Sequence, residues 1–423
     1  MTSLDFSPGT IPRRAAAVVG EALTDTRVVL LQGARQVGKS TLARSICEQA
    51  GGRWVSLDLP DARRAAAADP VGFVEAKGRL LVIDEVQREP ELALTIKERV
   101  DREPRPGQFL LTGSARVMAL RSIVDSLPGR METVELWPLS QGELSGGNDR
   151  FIDAVFEAGP DLEHRSALSR ADYVERVARG GYPEAVRRSG RRQERFFDQY
   201  LTDLIARNFM EAGEVRHPEQ MVALARMVAA RSGQLLVPAT LGSALGLPHP
   251  TVARYLSLLD QTFLIKRVSA WTRNVSSRAA ATPKVAMVDS GLAAHLTGVS
   301  AERLSDAASA AAASQLGGLL EGFGAMELAR QATWAQTAVR FSHYRTKDGA
   351  EVDLILEDRR GRVVGLEFKA TATARPADFN GLRHLQDKVG ADWLVGIALH
   401  LGRETLSFGP KLKAMPLAAI WEV

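Results

Sequence analysis

Apolar residues gather in short unbroken runs over the first third of the chain: Val28-Val29-Leu30-Leu31, Trp54-Val55, Leu80-Leu81-Val82-Ile83 and Phe109-Leu110-Leu111. Runs with no polar alternation predict strands buried on both faces of a parallel sheet. Helical stretches separate them, so residues 1–143 read as an α/β domain of the doubly wound kind. From residue 144 to 218 helical spacing takes over, clearest at Phe196, Phe197, Tyr200, Leu201, Leu204 and Ile205, and predicts a helical lid or linker whose aromatic stripe is core. Within 219–300, an amphipathic helix over 237–247, a turn on Gly246 and a second helix with Val252, Tyr255, Leu256 and Leu259 on one face predict a helix-turn-helix. The strand-like run 263–268 behind it suggests a winged version. The alanine-rich stretch 307–313 is either a spacer helix or a disordered connector. Within the last segment, 301–423, a helix over 319–330 precedes strands at 350–356 and 363–369, joined hairpin-fashion by Arg359-Arg360-Gly361.

Chemistry enters at the strand ends. Gly33-Ala34-Arg35-Gln36-Val37-Gly38-Lys39-Ser40, followed by Thr41, fits G-x-x-x-x-G-K-[ST] between a strand and a helix, the pattern of a loop whose backbone N–H groups cradle nucleotide phosphates. Lys39 is expected on the β/γ-phosphates of ATP and Ser40 on Mg²⁺, with the N-terminus of the following helix aimed at the same anion. Asp84 and Glu85 end the third apolar run at the sheet edge where ligands bind. Asp84 is expected to hold Mg²⁺ through water, and Glu85 to polarise the attacking water. Thr112 and Ser114 are candidates to sense the γ-phosphate or orient that water. Arg130 is a candidate charge-stabilising arginine, in cis or toward a neighbouring subunit.

Composition narrows the compartment and the partners. Hydrophobic residues make up 45% and charged residues 25%, the balance of an ordinary globular protein. A lone cysteine, Cys47, excludes a disulfide framework and a Cys-rich metal site, and points to a reducing cytoplasm. No apolar stretch reaches the length of a membrane helix and the N-terminus lacks a signal-peptide core, so no membrane association is expected. The formal charge of +4 permits nucleic acid without demanding it. His249, Thr251 and Arg254, at the start of the second helix, are the residues expected to reach DNA; such units also serve as protein-packing modules. The arginine-rich run 187–195 reads as a solvated helix start or a phosphate contact.

A second constellation lies near the C-terminus. Strand alternation places Glu367 and Lys369 on one face and Asp353 opposite Val352 and Leu354. If these faces meet, Asp353, Glu367 and Glu321 form a carboxylate cluster suited to Mg²⁺, with Lys369 beside it to position or activate a water for phosphodiester cleavage.

The order of motifs resembles the prokaryotic AAA-type (AAA+) P-loop ATPases that carry a C-terminal domain related to restriction endonucleases. The resemblance rests on the phosphate loop, Asp84-Glu85-Val86-Gln87, Leu111-Thr112-Gly113-Ser114 and Leu127-Pro128-Gly129-Arg130. It continues through Gly180-Gly181-Tyr182-Pro183, Pro283-Lys284, Asp289-Ser290-Gly291-Leu292, Glu351-Val352-Asp353 and Glu367-Phe368-Lys369. It implies an AAA+ core with a parallel sheet, a helical lid, a winged helix and a PD-(D/E)xK nuclease-like α/β domain. By position Asp353, Glu367 and Lys369 match the nuclease-type acids and lysine, and Glu321 the acid on the preceding helix. The expected activity is Mg²⁺-dependent ATP hydrolysis coupled to remodelling of forked, branched or broken DNA or to gating of the C-terminal nuclease-like domain; relatives commonly assemble so that an arginine of one subunit completes the next subunit's site, which leaves a homo-oligomer open. A nucleotide-controlled switch holding a protein partner and a structure-specific nuclease are the alternatives.

Overall fold

A computed structural model describes residues 11–75, 78–114, 125–206, 215, 217–273, 281–306 and 309–423. Contacts cluster the chain into two compact units, residues 1–139 with 261–263, and residues 140–260 with 264–423.

The first unit is built on a five-stranded sheet of β1 (Val28–Gln32), β2 (Arg53–Ser56), β3 (Leu81–Asp84), β4 (Phe109–Gly113) and β5 (Met131–Glu135). Its order is β2-β3-β4-β1-β5 and every pairing is parallel. The unbroken apolar runs are explained by burial on both faces. On one face Val28, Leu30, Leu81, Ile83, Phe109 and Leu111 pack with Leu92, Ala93, Ile96 and Val100 of the helix Leu92–Arg102. The other face meets the helices Ala15–Asp25 and Lys39–Gln49. Because all strands run the same way, Gln32, Ser56, Asp84 and Gly113 end at one edge of the sheet.

The second unit holds an eight-stranded mixed sheet. Its strands are β6 (Ile265–Ala270), β7 (Lys284–Met287), β8 (Val339–Arg345), β9 (Glu351–Asp358), β10 (Val363–Lys369), β11 (Trp393–His400), β12 (Leu406–Gly409) and β13 (Leu412–Pro416), in the order β12-β13-β11-β10-β9-β8-β6-β7. The segments expected as lid, winged helix and nuclease-like domain fall inside this unit, apart from residues 261–263. The two helices expected as a helix-turn-helix are Pro238–Leu245 and His249–Gln261, and the strand-like run behind them is β6, which forms an antiparallel hairpin with β7. That hairpin is not a free wing: β6 also pairs with β8 at Ser269 and Ala270 and so extends the C-terminal sheet. The strands expected at 350–356 and 363–369 are the antiparallel pair β9–β10. The alanine-rich stretch leads into the helix Ala310–Gln331, capped by Ser309 and anchored by Ala312 and Leu316; residues 307 and 308 lie outside the described set. Phe196, Phe197, Tyr200, Leu201, Leu204 and Ile205 are all buried on the helix Arg191–Ile205. No helix among the described residues is long and apolar enough to cross a membrane.

A buried polar joint ties this unit together. Glu327 accepts from the Gln141 backbone N–H at 2.8 Å and pairs with Arg330, whose guanidinium also donates to the Val288 carbonyl at 2.9 Å. Burial pushes the Glu327 carboxyl up to about 7, against the pull of Arg330. A carboxyl raised on folding contributes stability that is full at acid pH and lost as pH rises toward its folded value. The second unit is therefore expected to lose as much as about 3 kcal/mol of stability from this group between roughly pH 4.5 and 7. Urea midpoints across that range check this: Glu327→Gln, which cannot ionise, should flatten the dependence, and an unchanged slope would assign it to other groups.

Candidate active site

The loop 33–40 leaves β1 and enters the helix Lys39–Gln49 at the common strand edge. Its two glycines answer different demands. Gly38 has φ +96°, a conformation that L side chains rarely adopt. Gly33 is required by a close approach instead, since a Cβ there would sit 2.0 Å from the Leu136 carbonyl oxygen. Arg13, which the motif search did not single out, braces this turn by donating to the carbonyls of Val37 (2.7 Å) and Trp137 (2.6 Å).

Lys39 is only 5% exposed, and its Nζ donates to the carbonyls of Gly33 (3.0 Å) and Ala34 (2.7 Å). Burial brings its pKa down to about 8, although Glu85 and Asp84 pull the other way. Across the edge, Ser40 Oγ donates to Asp84 Oδ1 at 2.8 Å, Thr112 Oγ1 donates to the same oxygen at 2.7 Å, and Ser56 Oγ donates to Oδ2 at 3.1 Å. Hydroxyl and carboxylate oxygens of this kind are the donor set that suits a hard cation such as Mg²⁺, and Ser40 and Asp84 stand where the motif expects it. Ser56 belonged to an apolar run whose polar last residue was the available signal.

Glu85 has φ +56° and ψ +47°, a left-handed conformation that costs energy for a residue with a Cβ and is held only when its surroundings dictate it. Its N–H donates to Thr112 Oγ1 at 3.1 Å, and its carboxylate accepts from Ser114 Oγ at 2.5 Å and from the Gln87 amide. Gln87 also donates to Ser114 Oγ at 3.1 Å, which closes a small ring around the acid. Thr112 is fully buried and bonds to both acids, so it orients Asp84 and Glu85.

Arg130 is corrected by its place in the sheet. Its carbonyl accepts from the Val28 N–H at the start of β1, the edge opposite the phosphate loop, roughly 15 Å away along five residues of strand. Its guanidinium is bonded to Asp101 through Nε (2.5 Å) and Nη2 (2.9 Å). Arg130 therefore does not reach the loop of its own chain.

The C-terminal constellation comes together, but around a different centre. In the β9–β10 register Leu366 pairs with Leu354, which sets Glu367 opposite Asp353. Glu367 accepts from Lys369 Nζ at 3.1 Å, and burial together with Asp353 raises its pKa well above the usual carboxylate range. Lys284 Nζ, from β7, lies 3.0 Å from Asp353, 3.3 Å from Glu321 and 2.9 Å from Glu351. Burial works against its charge, but the three carboxylates outweigh this and raise its pKa. The expected metal ligands Glu321, Asp353 and Glu367 thus do not surround an open position. Among the described residues no group of three or more His, Cys, Asp or Glu side chains is arranged to hold a metal. His249 and Arg254 are exposed and Thr251 is half-buried at the start of the helix His249–Gln261.

Family models match three stretches of the chain. An AAA domain model matches residues 25–145, and two models of domains of unknown function match 170–303 (DUF8612) and 316–420 (DUF4143). An uncharacterized protein of Mycobacterium tuberculosis, Rv2008c, is 32% identical over 364 residues, covering 85% of this chain and 74% of that protein; Mb2031c of Mycobacterium bovis matches to the same extent. The chain belongs to their family. Solved structures with some likeness are a Walker-type ATPase of Pyrococcus abyssi (TM-score 0.43, 16% identity, 70% of this chain and 99% of that one) and ORC2 of Aeropyrum pernix (TM-score 0.32, 14% identity, 77% and 98%). The P-loop ATPase fold of this family member rests on its own parallel sheet, loop and AAA domain match.

Proposed function

We propose that this chain is an Mg²⁺-dependent ATPase that engages DNA, forked, branched or broken, and uses hydrolysis to remodel it or to gate its C-terminal domain. The observation that carries the ATPase reading is the convergence of Lys39, Ser40, Asp84 and Glu85 at one sheet edge, with Thr112 fixing both acids. Magnesium, when bound by Ser40 and Asp84, would draw charge from the phosphate oxygens. Lys39 would leave the Gly33 and Ala34 carbonyls for the β/γ-phosphates, and the N-terminus of the helix Lys39–Gln49 would add its positive end. Glu85 would take the proton of the attacking water, with Ser114 and Gln87 setting the direction of its carboxylate. Phosphate release measured with and without Lys39→Ala tests this reading.

DNA engagement is supported by the exposed start of the helix His249–Gln261. Such a complex is dominated by phosphate contacts and should weaken steeply with salt. Fluorescence anisotropy with duplex, forked and four-way DNA is expected to show binding at low salt that falls as salt rises and that Arg254→Ala reduces. Absence of binding to every structure at low salt contradicts it.

A second reading is a nucleotide-controlled switch that holds a protein partner. It is favoured by the exposed start of the helix His249–Gln261, since such units also serve as protein-packing modules. Slow turnover indifferent to DNA is the outcome that favours the switch.

A further inference from the structure

We infer that Lys284 is the resident cation of the C-terminal carboxylate cluster, standing between Glu321 and Asp353 in place of a divalent metal and closing the cluster to metal-assisted phosphodiester cleavage. An ammonium has three hydrogens to donate and accepts none. Lys284 Nζ has three carboxylate partners, Glu321, Glu351 and Asp353, all within 3.3 Å. Further oxygens of the cluster are bonded as well. Asp353 Oδ2 accepts from the Phe368 N–H at 3.0 Å, Glu351 Oε2 lies 3.3 Å from Arg345 Nη1, and Glu367 Oε2 accepts from Lys369.

The lysine cannot swing out easily. It is 5% exposed, in a strand whose four residues are all buried, and the Gly233 N–H donates to the Val285 carbonyl at 2.7 Å, which lays the 232–234 turn over the site. Gly233 sits so close that a Cβ there would lie 2.7 Å from Glu321 Cβ. The cavity lined by Lys284, Glu321, Asp353 and Gly233 has room for about one water, too little for a cation with its usual complement of waters. The cation arrives from outside the strands that carry the acids, 37 residues before Glu321 and 69 before Asp353. A buried acidic cluster is costly without compensation, and a tethered ammonium supplies it wherever the chain goes.

The test is Mn²⁺ binding to the nucleotide-free full chain, followed by electron paramagnetic resonance of the free ion. Wild-type protein and Asp353→Asn should bind Mn²⁺ alike, because the cluster contributes nothing. Lys284→Met, where folded, should take up one further Mn²⁺ per chain, and Lys284→Met with Asp353→Asn should lose it. The inference is overturned by wild-type Mn²⁺ binding that Asp353→Asn or Glu367→Gln removes, or by a folded Lys284→Met that gains no ion. If Lys284→Met does not fold, the wild-type and Asp353→Asn comparison still decides. Metal-dependent nicking of DNA by wild-type protein that both Asp353→Asn and Glu367→Gln abolish also overturns it.

Discussion

Replacing Glu85 with glutamine is expected to slow ATP hydrolysis by about 10²–10⁴-fold, the range over which a positioned general base contributes, while nucleotide affinity stays within a few-fold. The amide keeps the shape and still accepts hydrogen bonds, so Ser114 and the left-handed turn at residue 85 retain their partner. What it loses is the ability to take a proton. Ser114→Ala should give a smaller loss, because it leaves the base in place and removes only one of the bonds that aim it. The check is phosphate release at saturating ATP alongside equilibrium binding of a non-hydrolysable analogue. Unchanged turnover in Glu85→Gln would move the base elsewhere.

Lys39→Ala should have the opposite signature, failing at binding as well as at turnover. Removing one charged donor from a preorganised site costs on the order of 10²–10³-fold in rate, and here the same group also meets the ground-state phosphates. Its buried position adds a pH dependence. With a pKa brought down to about 8, Lys39 is an ammonium below that pH and increasingly neutral above it. A nucleotide needs the ammonium, so binding above pH 8 requires uptake of a proton, and affinity should fall toward about tenfold per pH unit. Below pH 7.5 this group leaves affinity flat. Binding measured from pH 7 to 9.5 checks the sign, and Lys39→Ala should bind weakly at every pH with no break near 8.

The ATPase half of this account was legible because its chemistry is contiguous. Eight residues from Gly33 to Ser40 carry the loop, and Asp84 and Glu85 end a run apolar enough to mark a buried strand. The reason for Gly33 was not legible, since the chain that approaches it comes from Leu136, more than a hundred residues away. The distance of Arg130 from the loop of its own chain was not legible for a related reason. Nothing in Leu127-Pro128-Gly129-Arg130 says that the chain has returned to the far edge of the sheet before the arginine appears. The bonds of Thr112 to two acids were not legible either, since Asp84 and Glu85 reach it from the neighbouring strand.

The C-terminal cluster shows the same limit more sharply. Alternation along β9 and β10 placed Asp353, Glu367 and Lys369 correctly relative to their own strands, because side-chain direction is a local property. It could not reveal that a lysine on β7 would settle among them, because that depends on β6 joining β8 and carrying its hairpin into the sheet. Pro283-Lys284 stood in the motif series without a role. A buried strand beginning with lysine was the available signal, since an ammonium is seldom buried without partners.

The central claim is that the loop at Gly33 to Ser40, with Asp84 and Glu85, hydrolyses ATP. Phosphate release by the purified full chain with ATP and Mg²⁺, with and without DNA, run beside Lys39→Ala, tests it most directly. Metal-dependent release by the wild type that Lys39→Ala abolishes is the predicted result. No release under any of these conditions, together with nucleotide binding unchanged in Lys39→Ala, would contradict it.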